Sequence, residues 1–165
     1  DAIPALTTPK AVELFEKFHV FTKTELESRA EIQYELYAKA VNIEAKTMID
    51  VATKQIIPAV IKYTTVLAES VNAVKAAGPI DVSVQMDLLA KCSALLKESN
   101  DAMNKLSDVV ERVMESPEGR ERAVYCKDEV CKAMADLRSP VDKLEMLVDK
   151  EMWPMPSYGD LIFEV

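Results

Sequence analysis

The sequence predicts an all-α fold: an elongated up-down-up antiparallel three-helix bundle with one overlong kinked helix at about 23–77, a short N-terminal helix and an extended C-terminal tail. Only three glycines occur in 165 residues, which leaves few tight turns and disfavours β-hairpins. Apolar residues recur at steps of three and four through three long stretches, the period of a helix with one buried face. Strong punctuation separates those stretches at only two places, Gly78-Pro79 and Ser116-Pro117-Glu118-Gly119.

Residues 1–8 read as an irregular lead-in. Thr8-Pro9 is a cap followed by proline at the first helical position, opening a short helix to about Phe18. Val12, Phe15 and Phe18 would be its buried side. His19-Val20-Phe21 then turns the chain into the long helix, whose start carries the capping-box spacing of Thr22 and Glu25. Its apolar register, through Ala45, Met48, Ala52, Ile56, Val60, Tyr63, Leu67 and Val71, keeps phase across Pro58. A helix-interior proline removes one donor and crowds the carbonyl four residues back, at a cost of about 3 kcal/mol, so a kink is expected there and not a break. The whole rod would be on the order of 80 Å long.

Past Gly78, Asp81 is the expected N-cap, with Ile80 placed as a hydrophobic staple. The next helix, from about Val82 to Ser116, has the cleanest heptad of the chain: Leu88, Cys92, Leu95, Ser99, Ala102, Leu106, Val109 and Val113. A third long helix follows to about Lys150, with Val130, Met134, Leu137, Val141, Leu144 and Val148 on its stripe and Pro140 inside it. Each of these two helices spans roughly 50 Å and would match the first helix from about Ala45 to Ala77. Residues 23–44 would then overhang by about 30 Å. That overhang carries Leu26, Ile32, Tyr34, Leu36, Tyr37 and Ile43, too much apolar surface for a free rod in water. The short first helix folding back, together with something outside this chain, is expected to cover it.

The last fifteen residues change character. Pro154 and Pro156 fix an extended path, Tyr158-Gly159-Asp160 suggests a turn, and Leu161-Ile162-Phe163 reads as an apolar plug. Such a tail either caps its own bundle or docks elsewhere, in which case Trp153, Tyr158 and Phe163 are the anchors. The candidate interface residues are therefore Tyr34, Tyr37, Trp153, Tyr158 and Phe163.

The length fits one domain: lead-in and short helix over 1–21, bundle over 22–150, tail over 151–165. An acidic balance of 28 Asp and Glu against 20 Lys and Arg, net −8, repels phosphate backbones and anionic lipid, so nucleic acid and membrane are not expected partners. A chain that begins Asp1-Ala2-Ile3-Pro4 reads as a piece of something longer, without a signal peptide. Three cysteines, Cys92, Cys126 and Cys131, with no CxxC spacing, read as buried structural thiols in a reducing cytoplasm. Cys126 and Cys131 are five apart, so on an α-helix they would point to different faces. His19, the single histidine, reads as a turn or surface residue; alone it builds neither a metal site nor a triad. No Glu-x-x-His pair and no phosphate-cradling glycine loop occurs. The polar cluster Asn42, Glu44 and Lys46 reads as solvated. Nothing nominates a catalytic, cofactor-binding or metal residue.

Two stretches carry a family resemblance. One runs from Lys23-Thr24-Glu25-Leu26-Glu27-Ser28-Arg29 through Val41-Asn42-Ile43-Glu44-Ala45-Lys46-Thr47-Met48-Ile49-Asp50-Val51-Ala52 to Ile57-Pro58-Ala59-Val60. The other is the ending Trp153-Pro154-Met155-Pro156-Ser157-Tyr158-Gly159-Asp160-Leu161-Ile162-Phe163. Together, and in this order, they resemble the C-terminal region of type III glutamine synthetases, the large bacterial form. Ala30 and Lys46 depart from the aromatic and the leucine that the resemblance leads one to expect. The resemblance implies a parent enzyme that joins ammonia to glutamate with ATP and Mg or Mn, as a cytoplasmic dodecamer of two stacked hexameric rings. It further implies that the ATP, glutamate and metal ligands lie upstream, in β-grasp and catalytic domains, so that this chain alone is non-catalytic. Its expected role is structural: packing on the upstream catalytic domain and helping neighbouring subunits assemble. The alternative is a stand-alone helical adaptor that binds partner helices.

Overall fold

The computed structural model describes residues 2–156 and 158–163, and every regular element among them is helical. A 3-10 turn (Ile3–Thr7) precedes α1 (Pro9–Lys17), α2 (Lys23–Val51), α3 (Ile57–Ala77), α4 (Ser83–Arg112), α5 (Arg120–Tyr125), α6 (Cys131–Glu145) and α7 (Tyr158–Phe163). Single π-helical turns, Ala52–Ile56 and Cys126–Val130, join α2 to α3 and α5 to α6. The contacts fall into two compact units, Asp1–Lys46 with Asp108–Lys132 and Thr47–Ser107 with Ala133–Val165.

Local chemistry sets the helix ends. Thr8 accepts the Ala11 amide, and Pro9 opens α1. The capping box before α2 closes in both directions. The Thr22 amide donates to Glu25 Oε2 at 2.7 Å, and the Glu25 amide reaches Thr22 Oγ1 at 3.4 Å. These bonds favour the charged carboxylate and hold the Glu25 carboxyl below its ordinary range. The end of α1 is a Schellman turn, with Val20 N–H donating to Phe15 O and His19 N–H to Glu16 O. His19 occupies its left-handed position at φ 54°, where glycine is the usual occupant. At α4 the side chain of Asp81 accepts from the Ser83 amide at 2.9 Å. The expected staple is reversed: Ile80 is exposed and Val82 is buried, because the residue next to the cap, not the one before it, faces the core.

The helical path continues through Pro58. Ile57 N–H bonds to Ala52 O, five residues back, and the backbone on both sides stays right-handed helical. One wider turn ahead of the proline gives its ring room beside the carbonyl it would otherwise strike. Pro140 lies buried inside α6.

In the first unit, Ala30, Tyr34 and Ala123 form the core cluster with Ile3 against it. The lead-in folds back as expected: Phe15 and Phe21 rings lie 5.7 Å apart, and the Arg29 guanidinium stacks 4.3 Å above Phe21. Phe18, expected inside, is exposed, because the Schellman turn carries it round to the solvent side. The expected overhang of residues 23–44 beyond the later helices is also corrected. Leu26, Ala30, Tyr34, Ala38 and Val41 are buried, and the unit they belong to includes residues 108–132. Pairing the second helix with Ala45–Ala77 by length alone misplaced the turn at 113–119. Gly119 in fact sits against Glu31, and Arg122 ties that turn by donating to Ser116 O at 2.8 and 3.2 Å.

In the second unit, Ile56, Val60, Cys92, Leu144 and Val148 form the core. One seam of the α4 heptad holds: Cys92, Ser99 and Leu106 are all buried. The third helix stops at Glu145, short of Lys150, and passes into turns. Residues 158–163 are helical and not an extended arm, with Asp160 in the first turn bonded to Lys150 Nζ at 2.7 Å. Leu161 and Ile162 are exposed, so they plug nothing in this chain.

Two substitutions test these assignments. Replacing His19 with glycine relieves its left-handed backbone, so His19→Gly should raise unfolding stability by about 1 kcal/mol in urea titration. Ser99 Oγ is buried with no hydrogen-bond partner among the described residues. Ser99→Ala should therefore raise the thermal midpoint, with a gain of about 1 kcal/mol.

Candidate functional site

The polar chemistry of the first unit gathers where α2 meets the π turn Cys126–Val130. Tyr37 Oη and Cys131 Sγ lie 3.8 Å apart, within reach of a weak hydrogen bond in which either can donate. Cys126 Sγ lies 4.0 Å from Ala38 O, so both thiols sit beside one turn of α2. The expectation that Cys126 and Cys131 face apart fails for a defined reason. The five residues from Cys126 form a π turn, and Cys131 N–H bonds to Cys126 O, which brings positions five apart back towards one side of the helix.

These groups are set for packing more than for reaction. Burial pushes the Cys126 thiol up, with Cys131 adding to the effect, so at neutral pH it stays protonated and weakly nucleophilic. Burial likewise raises the Cys92 thiol in the second unit. Cys131 is only half-buried. The Tyr37 phenol is pushed up to about 12 by burial and by its bond to Cys131. A cleft of about 320 Å³ opens beside this cluster, with Tyr34, Tyr37, Arg120 and Lys127 in its wall. Among the described residues no group of three or more His, Cys, Asp or Glu is placed to hold a metal ion.

The candidate interface residues fall in both units. Tyr34 is buried in the core of the first unit and reaches the surface only in the wall of that cleft. Tyr37 is partly exposed at the cleft. Trp153 packs against the core of the second unit, its indole N–H buried without a partner among the described residues. The side chains of Tyr158 and Phe163 lie outside the described residues. What the aromatic anchors missed is aliphatic: Ile32, Leu36 and Ile43 are all exposed on α2. Their spacing of four and seven was the available signal.

Comparison with known proteins shows what the chain resembles. Residues 1–75 match a family model described as the glutamine synthetase C-terminal domain. A type-3 glutamine synthetase of Dictyostelium discoideum is 26% identical over 99% of this chain and 23% of its own length. The chain matches the C-terminal region of a type III glutamine synthetase. A glutamine synthetase of Butyrivibrio fibrisolvens, 26% identical, is matched over 100% of this chain and 24% of its own length. One of Bacteroides fragilis (strain YCH46), 28% identical, is matched over 87% and 20%. The chain thus spans less than a quarter of the length of these synthetases. No helix among the described residues is long and apolar enough to cross a membrane.

Tyr37 gives this region a titration signature. A phenol raised from 10.0 to about 12 contributes stability that is whole below the unfolded pKa and is lost as pH rises through the folded one. Ultraviolet titration should show the last tyrosine ionising near pH 12 and losing that component in Tyr37→Phe. The variant should also lose stability less steeply between pH 10 and 12.

Proposed function

We propose that this chain is the C-terminal helical, structural and assembly domain of a type III glutamine synthetase. The parent enzyme makes glutamine from glutamate, ammonia and ATP with Mg or Mn, and the residues that bind them lie outside this chain. The observation that carries the proposal is the form of the match. It runs along nearly all of this chain yet takes in only 23% and 24% of the two synthetases that cover it most fully. The domain packs on the upstream catalytic domain and helps neighbouring subunits assemble, in the cytoplasm.

The bundle topology belongs to the same proposal. In the second unit, Thr53 Oγ1 donates to Met103 Sδ at 3.0 Å, while Tyr63, ten residues on, lies in the field of Cys92, eleven residues back. Numbers that rise on one helix and fall on the other are those of antiparallel neighbours. In the first unit, Tyr34 meets Ala123 and Tyr37 meets Cys131, both numbers rising, as for parallel segments. Long helical stretches running up, down and up satisfy both patterns. A stand-alone adaptor for partner helices would leave the end-to-end likeness to synthetases without a cause.

The deciding experiment starts from the natural reading frame. The full-length product should form glutamine from glutamate, ammonia and ATP with divalent metal, and residues 1–165 alone should form none. A natural product that consists of this chain alone, or turnover by the isolated piece, would overturn the proposal.

A further inference from the structure

We propose that the outward face of α2, with the cleft beside it, is the seat of the polypeptide that precedes residue 1 in the longer protein. This rests on the reading of the chain as a C-terminal domain and names the surface that meets the rest.

Helix α2 has two apolar faces. One buries Leu26, Ala30, Tyr34, Ala38, Val41 and Ala45 within the chain. On the other, Ile32 is 53% exposed, Leu36 55% and Ile43 65%. At about 100° per residue these three side chains fall on one line, roughly half a turn from the buried stripe. A single exposed aliphatic residue is ordinary, but three aligned over three turns make a seam of the kind helices use for packing. The seam does not end at Ile32. That residue also borders an apolar cleft of about 500 Å³ with Leu6, Phe15, Phe21 and Leu26 in its wall.

The position of the chain's start selects the occupant. Ala2 and Ile3 line this same cleft, so a polypeptide leading into Ala2 comes in at its rim. A tethered segment beside an apolar surface acts at high effective concentration and outcompetes a free partner of equal affinity. More than three-quarters of each related synthetase lies outside the part this chain matches. The family match over residues 1–75 takes in the whole face.

Thiol accessibility in the full-length protein tests the assignment. Introduced singly as Leu36→Cys or Ile43→Cys, a thiol on this face should react with a maleimide about a hundredfold more slowly in the native protein than in urea, as mapped by peptide mass spectrometry. Adding Leu36→Glu to the Ile43→Cys variant should restore fast labelling with helix content unchanged. Labelling of the native protein at the urea rate overturns the proposal. So does protection accompanied by cross-links from this face to residues 1–165 of a second copy, or to another protein. A full-length product that makes glutamine but leaves Leu36→Cys freely reactive sinks this assignment alone. A natural product without the upstream part sinks the domain assignment beneath it.

Discussion

Alanine on the inner side of the longest helical stretch controls what the rest of the chain can do. Ala30, Ala38, Ala45, Ala52 and Ala59 are all buried, and the last four stand seven residues apart. A methyl group is the smallest side chain that still favours a helix, so it lets a neighbouring backbone come close while costing no helix propensity. Larger residues then fill the gaps that alanine leaves: Tyr34 in one unit, Ile56 and Val60 in the other. The facing helices answer with small or compact residues of their own, Ala123 in the first and Cys92 in the second.

The π turns follow from keeping that inner side in register. A helix holding a proline has to resolve the missing donor somewhere, and here the resolution is a widened turn just ahead of Pro58. Beyond it Ile57–Ala77 continues with Val60, Leu67 and Val71 buried. The second widened turn puts Cys126 and Val130 inside together and swings Cys131 next to Tyr37. Surface ion pairs contribute little beside this. Most are exposed Lys or Arg partners of Asp or Glu one helical turn away, worth only tenths of a kcal/mol each.

Much of this was legible in the sequence because it is local. Thr8-Pro9, the Thr22 and Glu25 box and the Gly78 stop are decided by backbone donors and side chains within four residues of one another. The seven-residue recurrence of Cys92, Ser99, Leu106 and Val113 is a property of one helix read alone. What escaped depends on two segments at once. Helix length gave no means to see that the 113–119 turn lies beside Glu31, because that register is set by how side chains interlock. The π turn at Cys126 leaves no mark comparable to a proline, so α-helical spacing points the two thiols to separate faces. Size makes aromatic residues the obvious candidate contacts in a sequence. Tyr34 and Trp153 pack at the cores of their own units, while the plainer Ile32, Leu36 and Ile43 stand outward.

The widened turn at 52–56 also bears on how this chain lines up with the synthetases it resembles. Five residues there do the work that four do elsewhere, so the two flanks differ in phase by the equivalent of one inserted position. A relative with a plain α-helical turn at this point would have to be one residue shorter to present the same side chains inward. Gapless alignment through Pro58 would then pair core positions on one flank with outward ones on the other. A single-residue length change at this spot would leave the packing on both flanks the same, and its absence in a protein without the proline would signal a helix rotated by about a hundred degrees.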